Sequence, residues 1–515
     1  MKKIIAILLF TVTLLNAQTG SWNYDENYVP QEHPQEFQFL AFFINQAVSN
    51  NVYATNDLLK GQTVGRLFGG NTTTTGQNSN YFEQRIIPFM IYQPKLLNGR
   101  AILRMAFEID WTWGDVSYGA GGNFGSAISA DQVNLQTQNV ELELIPFNNF
   151  SINLGLQRLY DTPYNPYRTF ASTMLKTGYR LMYWGTDGVG VSARYDWDYH
   201  RIKAGYYQLY ENNINQNDDV VLWEVNYEMN VTKEWRQGLT AYYLYDRANG
   251  EGGVSVLGQG LNSNLAAYNG VYRFPLGNKA YRADVIWLGT HGNYNPEFQL
   301  GRWSLNGFFM SNLGEVKTET NGDYKKAADI FGYAANLRAG YKFGQTADDN
   351  ITIDLFFASG DDDNLDDKKY NGVLTGNNWG SPGGIMVSHG AYLLYPHGNV
   401  VNRYVAAIND LSNIGLGQIG GTLNFSKSLI PNKAFAKVGV AAAQSMVEPN
   451  GGGKMIGTEV NAMINYKPAV YMDIELHGAY LWLGDFYESK SVNGGMDVKP
   501  DNPFTVFLVF KWLMF

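Results

Sequence analysis

The chain has 515 residues, a formal net charge of −9 and no cysteine. It carries 56 Gly, 35 Tyr, 28 Phe and 12 Trp, yet its mean hydropathy is only −0.26. The acidic balance argues against nucleic acid as a partner, the missing cysteines exclude a disulfide scaffold, and aromatic excess without an apolar average fits a barrel in lipid.

Lys2 and Lys3 precede an apolar run over 4–15 and then Asn16-Ala17-Gln18, the pattern of a secretory signal peptide spanning 1–17. The run is shorter than the ~20 residues a spanning helix needs. Residues 18–35 are expected to form a periplasmic segment and 36–515 the barrel, because no later stretch approaches the ~18 apolar residues of a membrane helix.

Period-two alternation over about ten residues, the length of a tilted membrane strand, then recurs along the chain. In 103–113, Leu103, Met105, Phe107, Ile109, Trp111 and Trp113 oppose Arg104, Ala106, Glu108, Asp110 and Thr112. Segment 189–199 sets Val189, Val191, Tyr195 and Trp197 against Ser192, Arg194, Asp196 and Asp198, and 221–231 sets Val221, Trp223, Val225 and Tyr227 against Glu224, Asn226 and Glu228. Charges two apart read as strand, where an amphipathic helix would place them three or four apart.

The fold class expected is an all-β, transmembrane, antiparallel up-and-down barrel of about 18 strands, with 16 also admissible, in the outer membrane of a Gram-negative cell. Strands begin at 36–47, whose two faces are both apolar, and include a short one at 350–358. Short periplasmic turns are expected at 96–100, 146–149, near 200, 232–234, 290–300, 344–349, 427–432 and 467–468, several carrying turn residues such as Asn98-Gly99, Asn148-Asn149 and Pro431-Asn432. Long extracellular loops are expected at 48–80, 114–132, 161–187, 211–219, 247–279, 313–328, 359–413, 445–454 and 484–501. The aromatic end at Phe515 resembles the signal read by barrel-assembly machinery. Lys511 interrupts one apolar face of that last strand, and the other face is apolar too, so its orientation stays open.

The inward faces would line whatever passes through. They read as Arg104, Glu108, Asp110, Arg194, Asp196, Asp198, Glu224, Glu228, Arg236, Arg282, Arg338 and Lys342, joined by Arg201, Lys203, Lys437, Asp246, Asp284, Asp354, Asp473 and Glu475. A wall of mixed sign serves either a hydrated pore with a transverse field or a lumen rigidified by cross-strand ion pairs. The function expected is a diffusion channel for hydrophilic solutes, saccharides or acidic polysaccharide among them.

The run from Ser359 to Asp367 places Asp361, Asp362, Asp363, Asp366 and Asp367 within seven residues. Such carboxylates suit a hard divalent cation such as calcium, although the spacing is not that of an EF-hand and a solvated acidic loop is the favoured reading of the same residues. No other cofactor is expected.

The strand ending Phe356-Phe357-Ala358-Ser359-Gly360-Asp361-Asp362-Asp363, the long loop with His and Pro, and the Gly-rich strand from Ile414 resemble the alginate-export family of outer-membrane porins. Gly155-Leu156-Gln157-Arg158 is similar to that family's early strands. The resemblance implies 18 strands and passive passage through a selective pore, with an arginine-rich constriction suited to a polyanion. The inner face read here is instead balanced in sign.

Catalytic patterns are lacking: there is no HExxH, CxxC or GxxxxGK[ST], and Gly451-Gly452-Gly453-Lys454 lacks the following Ser or Thr. Ser359 with His389 or His397 is the one pairing to test, and no enzyme is expected. An energy-driven receptor would need a large N-terminal plug, for which 18–80 is too short. The other class in contention is a structural or adhesive barrel acting through its extracellular loops. Loop 359–413 can fold inward as a constriction or outward as a binding surface, with Tyr392 and Tyr395 able to stack sugars. The expected partners are membrane lipid, a small hydrophilic solute or oligosaccharide, and the assembly machinery.

Overall fold

The computed structural model describes residues 33–54, 65–69, 72–113, 134–164, 186–211, 218–250, 274–276, 279–296, 298–362, 365–375, 390–395, 405–408 and 412–514. The expected signal segment 1–17, His389, His397 and Phe515 lie outside the described residues.

Eighteen long strands form one closed antiparallel sheet. They are β1 (Phe37–Ala54), β2 (Thr72–Tyr92), β3 (Ala101–Trp113), β4 (Asn134–Phe147), β5 (Phe150–Leu159) and β6 (Thr186–Trp197). Next come β7 (His200–Tyr210), β8 (Val220–Asn230), β9 (Trp235–Asp246), β10 (Tyr281–Tyr294), β11 (Trp303–Thr320) and β12 (Asp323–Lys342). The last six are β13 (Asn350–Ala358), β14 (Gln418–Ile430), β15 (Ala434–Ser445), β16 (Met455–Ala469), β17 (Met472–Leu483) and β18 (Phe504–Met514). Each strand pairs with its neighbours in the chain, and β1 closes the ring on β18 in the register Ala41↔Met514 to Asn50↔Thr505. Closure pairs the backbone groups that an open edge would leave unsatisfied.

Seven of the eight expected short turns fall at or overlap a junction between strands at one end of the barrel, whereas 467–468 lies inside β16, which runs on through a bulge to Ala469 before the chain turns at Val470-Tyr471. Their tips use residues that tolerate left-handed backbone: Asn98, Asn149 and Asn432 have φ of 47°, 68° and 59°. The opposite end carries the long connections, with one correction. The expected loop 313–328 is instead a continuation of β11 and β12, 18 and 20 residues long. They join through Asn321-Gly322 alone, both at positive φ (57° and 85°). That sequence satisfies the two left-handed positions of a tight hairpin turn, so the strands run on past the point where alternation weakens. β1 and β2 likewise extend into the expected loop 48–80.

The outward face is an apolar belt. Val189, Val225, Leu239, Leu288, Phe309, Leu337, Leu355, Leu423, Val440, Ile464, Leu476 and Leu508 are all exposed on it. Near the short turns it is edged by aromatic side chains, among them Phe147 stacked on Phe150 at 4.8 Å, Trp303 against Tyr341 at 4.8 Å and Phe343 stacked on Phe425 at 5.2 Å. A sheet whose apolar side chains point away from its own interior is arranged for hydrocarbon. β18 resolves the orientation its sequence left open. Val506 and Leu508 face outward, whereas Thr505, Phe507 and Val509 are buried within, and Lys511 turns inward to Glu475 at 2.8 Å.

Candidate functional site

The inner wall is built strand by strand from the polar half of each alternation. On β3, Arg104 lies opposite Glu141 of β4. It is 3% exposed and pairs with Glu141 at 3.4 Å and Glu143 at 2.5 Å. Glu108 takes Arg85 of β2 at 2.8 Å. On β16 and β17, Glu475 accepts from Asn465 at 3.1 Å and contacts His477 at 2.9 Å. On β12 and β13, Arg338 Nε and Asn336 Nδ2 converge on Asp354 at 2.7 and 2.5 Å. Lys342, near the short turns, donates to the carbonyl of Phe298 at 2.8 Å.

The densest group spans β6 to β10. Arg194 grips Asp196 with two bonds, Nε to Oδ1 at 2.8 Å and Nη2 to Oδ2 at 2.6 Å, a bidentate geometry that fixes the guanidinium plane. The guanidiniums of Arg194, Arg201 and Arg236 stand 5.1, 4.7 and 4.9 Å from the ring of Tyr164. Tyr164 reaches them because the chain leaving β5 turns back inside the barrel. There Thr162 Oγ1 donates to Glu228 at 3.0 Å and Arg194 Nη1 to the carbonyl of Pro163 at 3.3 Å. Glu224, 1% exposed, accepts from Lys203 Nζ at 3.1 Å and from the Tyr207 hydroxyl at 2.6 Å. Cations, carboxylates and phenols are thus interleaved, and three cations surround one aromatic ring.

Three expected wall residues are not on the wall. Asp198 is exposed in the short turn after β6, with φ 43°. Arg282 and Asp284 point outward from β10 on the same face as Ile286 and Leu288, which are 44% and 47% exposed. The buried face of β10 carries Ala283, Val285, Trp287 and His291. Its apolar members look like a lipid face, but they meet an interior that is itself apolar at that height. The side chain of Asp110 lies outside the described residues.

That apolar interior comes from the chain between β13 and β14. Trp287 Nε1 donates to the carbonyl of Leu374 at 2.9 Å, and the amide of Leu374 donates to Asn312 Oδ1 at 3.0 Å. On the far wall the buried carboxylate of Glu459 accepts from the amides of Tyr392, Leu393 and Leu394 at 2.7, 2.9 and 2.6 Å. Asn461 Nδ2 donates to Gly390 O at 2.8 Å. Two described segments of the connection between β13 and β14 therefore lie inside the barrel, 370–375 against β10 and β11 and 390–395 against β16. Their Tyr370, Leu374 and Tyr395 are buried with Ile408 and with Leu67 and Tyr487 of neighbouring loops.

The acidic run is spent on the geometry of the same loop. Asp361 is 8% exposed and accepts the amide of Asn371 at 2.9 Å, and Asp367 accepts the amide of Lys369 at 2.7 Å. Asp362 and Asp366 are exposed, and Asp363 lies outside the described residues. Among the described residues no group of three or more His, Asp or Glu side chains is placed to hold a metal ion. The Ser359 hydroxyl donates to Asn371 O at 2.7 Å and accepts the amide of Tyr333 at 2.9 Å, which commits it to the backbone.

Glu83, Arg85, Glu141, Glu143 and Glu459 were not among the expected residues. Their signal is present in the sequence: Glu141 and Glu143 alternate with Val140, Leu142 and Leu144, and Glu459 with Val460. Tyr164 had no such signal, since it lies outside any strand.

No protein-family model and no curated protein matches the chain. Among solved structures it is similar to Acinetobacter baumannii OccAB1, with 9% identity, 96% of this chain and 100% of that one covered, and a TM-score of 0.48. It is also similar to Acinetobacter baumannii OccAB4, with 11% identity, 93% and 99% covered, and a TM-score of 0.47. Pseudomonas aeruginosa OprD shows 10% identity over 97% and 99% of the two chains, with a TM-score of 0.44.

Proposed function

We propose that the chain is an outer-membrane diffusion channel for hydrophilic solutes. The observation that carries this reading is the partition of one closed sheet. Its outer face is an apolar belt, while its inner face carries ionisable residues such as Arg104, Glu141, Arg194, Arg201, Glu224 and Asp354. A barrel that only needed filling would do as well or better with apolar side chains, because a buried ion pair rarely stabilises more than its hydrophobic replacement. Charges held around an interior are the chemistry of a route for polar solutes. The inward segments 370–375 and 390–395 would narrow that route, and the guanidiniums around Tyr164 would stand beside it. Saccharides are a fitting solute class, because aromatic and hydrogen-bonding side chains alternate on the wall.

The narrower reading, passage of an acidic polysaccharide as in the alginate-export porins, rests on the short resemblance at 356–363 and is supported further only by the three clustered guanidiniums. Export through a signal at 1–17 and insertion by assembly machinery acting on β18 belong to the same proposal. A second reading, a structural or adhesive barrel, is favoured by one observation: loop side chains fill the interior between β10 and β16.

Conductance of the purified full-length chain in planar bilayers, with and without neutral and acidic oligosaccharides, separates the two readings. Steady open-channel current blocked by one saccharide class supports the channel and names its solute. A folded, inserted barrel with no current at any voltage overturns it in favour of the structural reading.

A further inference from the structure

One sector of the outer face carries its charges in rows that strand register defines. From mid-wall toward the long-loop end, Tyr243, Ile286, Leu313 and Phe331 lie side by side on β9, β10, β11 and β12. The next outward-facing row is Tyr245, Asp284, Glu315 and Asp329. The row after it is Arg282, Lys317 and Lys326, with Arg247 following directly on the end of β9. Apolar side chains give way to carboxylates and then to cations within two steps of the ladder, at the border where the hydrocarbon-facing belt ends.

Like charges opposite one another on neighbouring strands are destabilising. Three of the four cations are relieved by a carboxylate from the row below. Arg247 pairs with Asp284 at 2.8 Å, Lys326 with Asp329 at 2.6 Å, and Lys317 with Glu315. Arg282 is different. Its guanidinium lies 4.1 Å from the Tyr324 ring, and among the described residues no carboxylate pairs with it. A guanidinium held against a ring is fixed in place while its two Nη groups still suit a phosphate, the Nε of Arg282 itself being buried. Lys317 and Lys326, 39% and 47% exposed at the side chain, follow Arg282 along the same row on β11 and β12.

We propose that this face binds a phosphorylated glycolipid of the outer leaflet. Arg282, with Lys317 and Lys326 beside it, takes a phosphate of the headgroup, and the acyl chains run down over Ile286, Leu313 and Phe331. Free phosphate would use the cations but not the apolar row directly beneath them. The inference rests on the membrane reading above.

The test uses the full-length barrel in detergent micelles, with native mass spectrometry counting lipid bound from bis-phosphorylated lipid A, from phosphatase-treated lipid A, and with inorganic phosphate as competitor. Arg282→Gln, and the triple variant Arg282→Gln, Lys317→Gln and Lys326→Gln, are compared with Lys490→Gln in a distant loop, each checked for strand content by circular dichroism. Binding of the phosphorylated form is expected to weaken about fivefold for each cation removed, the worth of one cation near an anionic lipid surface. Lys490→Gln and the phosphatase-treated lipid serve as the unresponsive controls. Equal binding by the triple variant, equal binding of both lipids by the native chain, or displacement by inorganic phosphate at matched concentration overturns the proposal. Insertion into vesicles that lack phosphorylated glycolipid keeps the membrane reading even then, whereas failure to insert into vesicles of any composition removes that reading itself.

Discussion

Trp287 on β10 and Leu374 in the loop between β13 and β14 are joined by a 2.9 Å hydrogen bond from the indole nitrogen to the carbonyl oxygen, inside the barrel. Trp287 is fully buried, so this contact both orients β10 and anchors the loop segment 370–375 inside the barrel.

Replacing Trp287 with Ala is expected to lower stability by about 3–5 kcal/mol, the cost of removing a buried aromatic side chain, and to release the loop near Leu374. Denaturant unfolding of the refolded barrel measures the first effect and single-channel conductance the second. Trp287→Phe should keep most of the stability and lose only the anchoring bond.

Glu459 gathers three consecutive loop amides on one carboxylate. Glu459→Gln offers one neutral carbonyl oxygen and brings in an NH2 group that cannot accept, so bonds worth roughly 1.5–3 kcal/mol each to a charged acceptor are lost or weakened. Hydrogen exchange should quicken at the amides of Tyr392, Leu393 and Leu394 while the strand amides of β16 stay protected. Unchanged protection at those three amides would show that packing alone holds the loop.

The pair Arg338 and Asp354 is almost completely withdrawn from solvent. Arg338→Ala is expected to cost about 3–5 kcal/mol, because it strands a buried carboxylate, while Arg338→Met combined with Asp354→Leu should recover most of that loss. A double-mutant cycle on the unfolding free energy tests this, and additive costs would refute it.

Asp349, in the short turn before β13, has its carboxyl held well below the usual carboxylate range by the Lys427 ammonium at 2.8 Å, against the opposing effect of burial and with help from the amides of Thr346 and Ser428. A depressed native pKa means that the unfolded chain binds the proton more tightly. The contribution is therefore fully present above the ordinary aspartate value of about 3.9 and is lost as pH falls below it. Asp349→Asn should flatten the acid limb of the stability profile below about pH 4, read as the unfolding midpoint against pH. An unaltered acid limb would remove Asp349 from the account.

The sequence by itself determined the barrel class, the approximate position of its strands and all but one of the short turns, because alternation and turn chemistry are local. Arg104, Arg194 and Glu224 could be placed on the inner face from their neighbours alone, since each alternates with side chains suited only to lipid. Local pattern does not say which face turns inward where both are apolar, as in β18, and it points the wrong way where charges sit on the outer face, as Arg282 and Asp284 do on β10. Ala283, Val285 and Trp287 of β10 and Phe507 and Val509 of β18 face the interior only because chain distant in sequence supplies apolar cover there. Only the tertiary structure decided that segments 370–375 and 390–395 lie inside the barrel, that Tyr164 enters the guanidinium cluster, and that Arg282 faces outward. Each depends on contacts between strands and loops far apart in the chain, which no short window of residues contains.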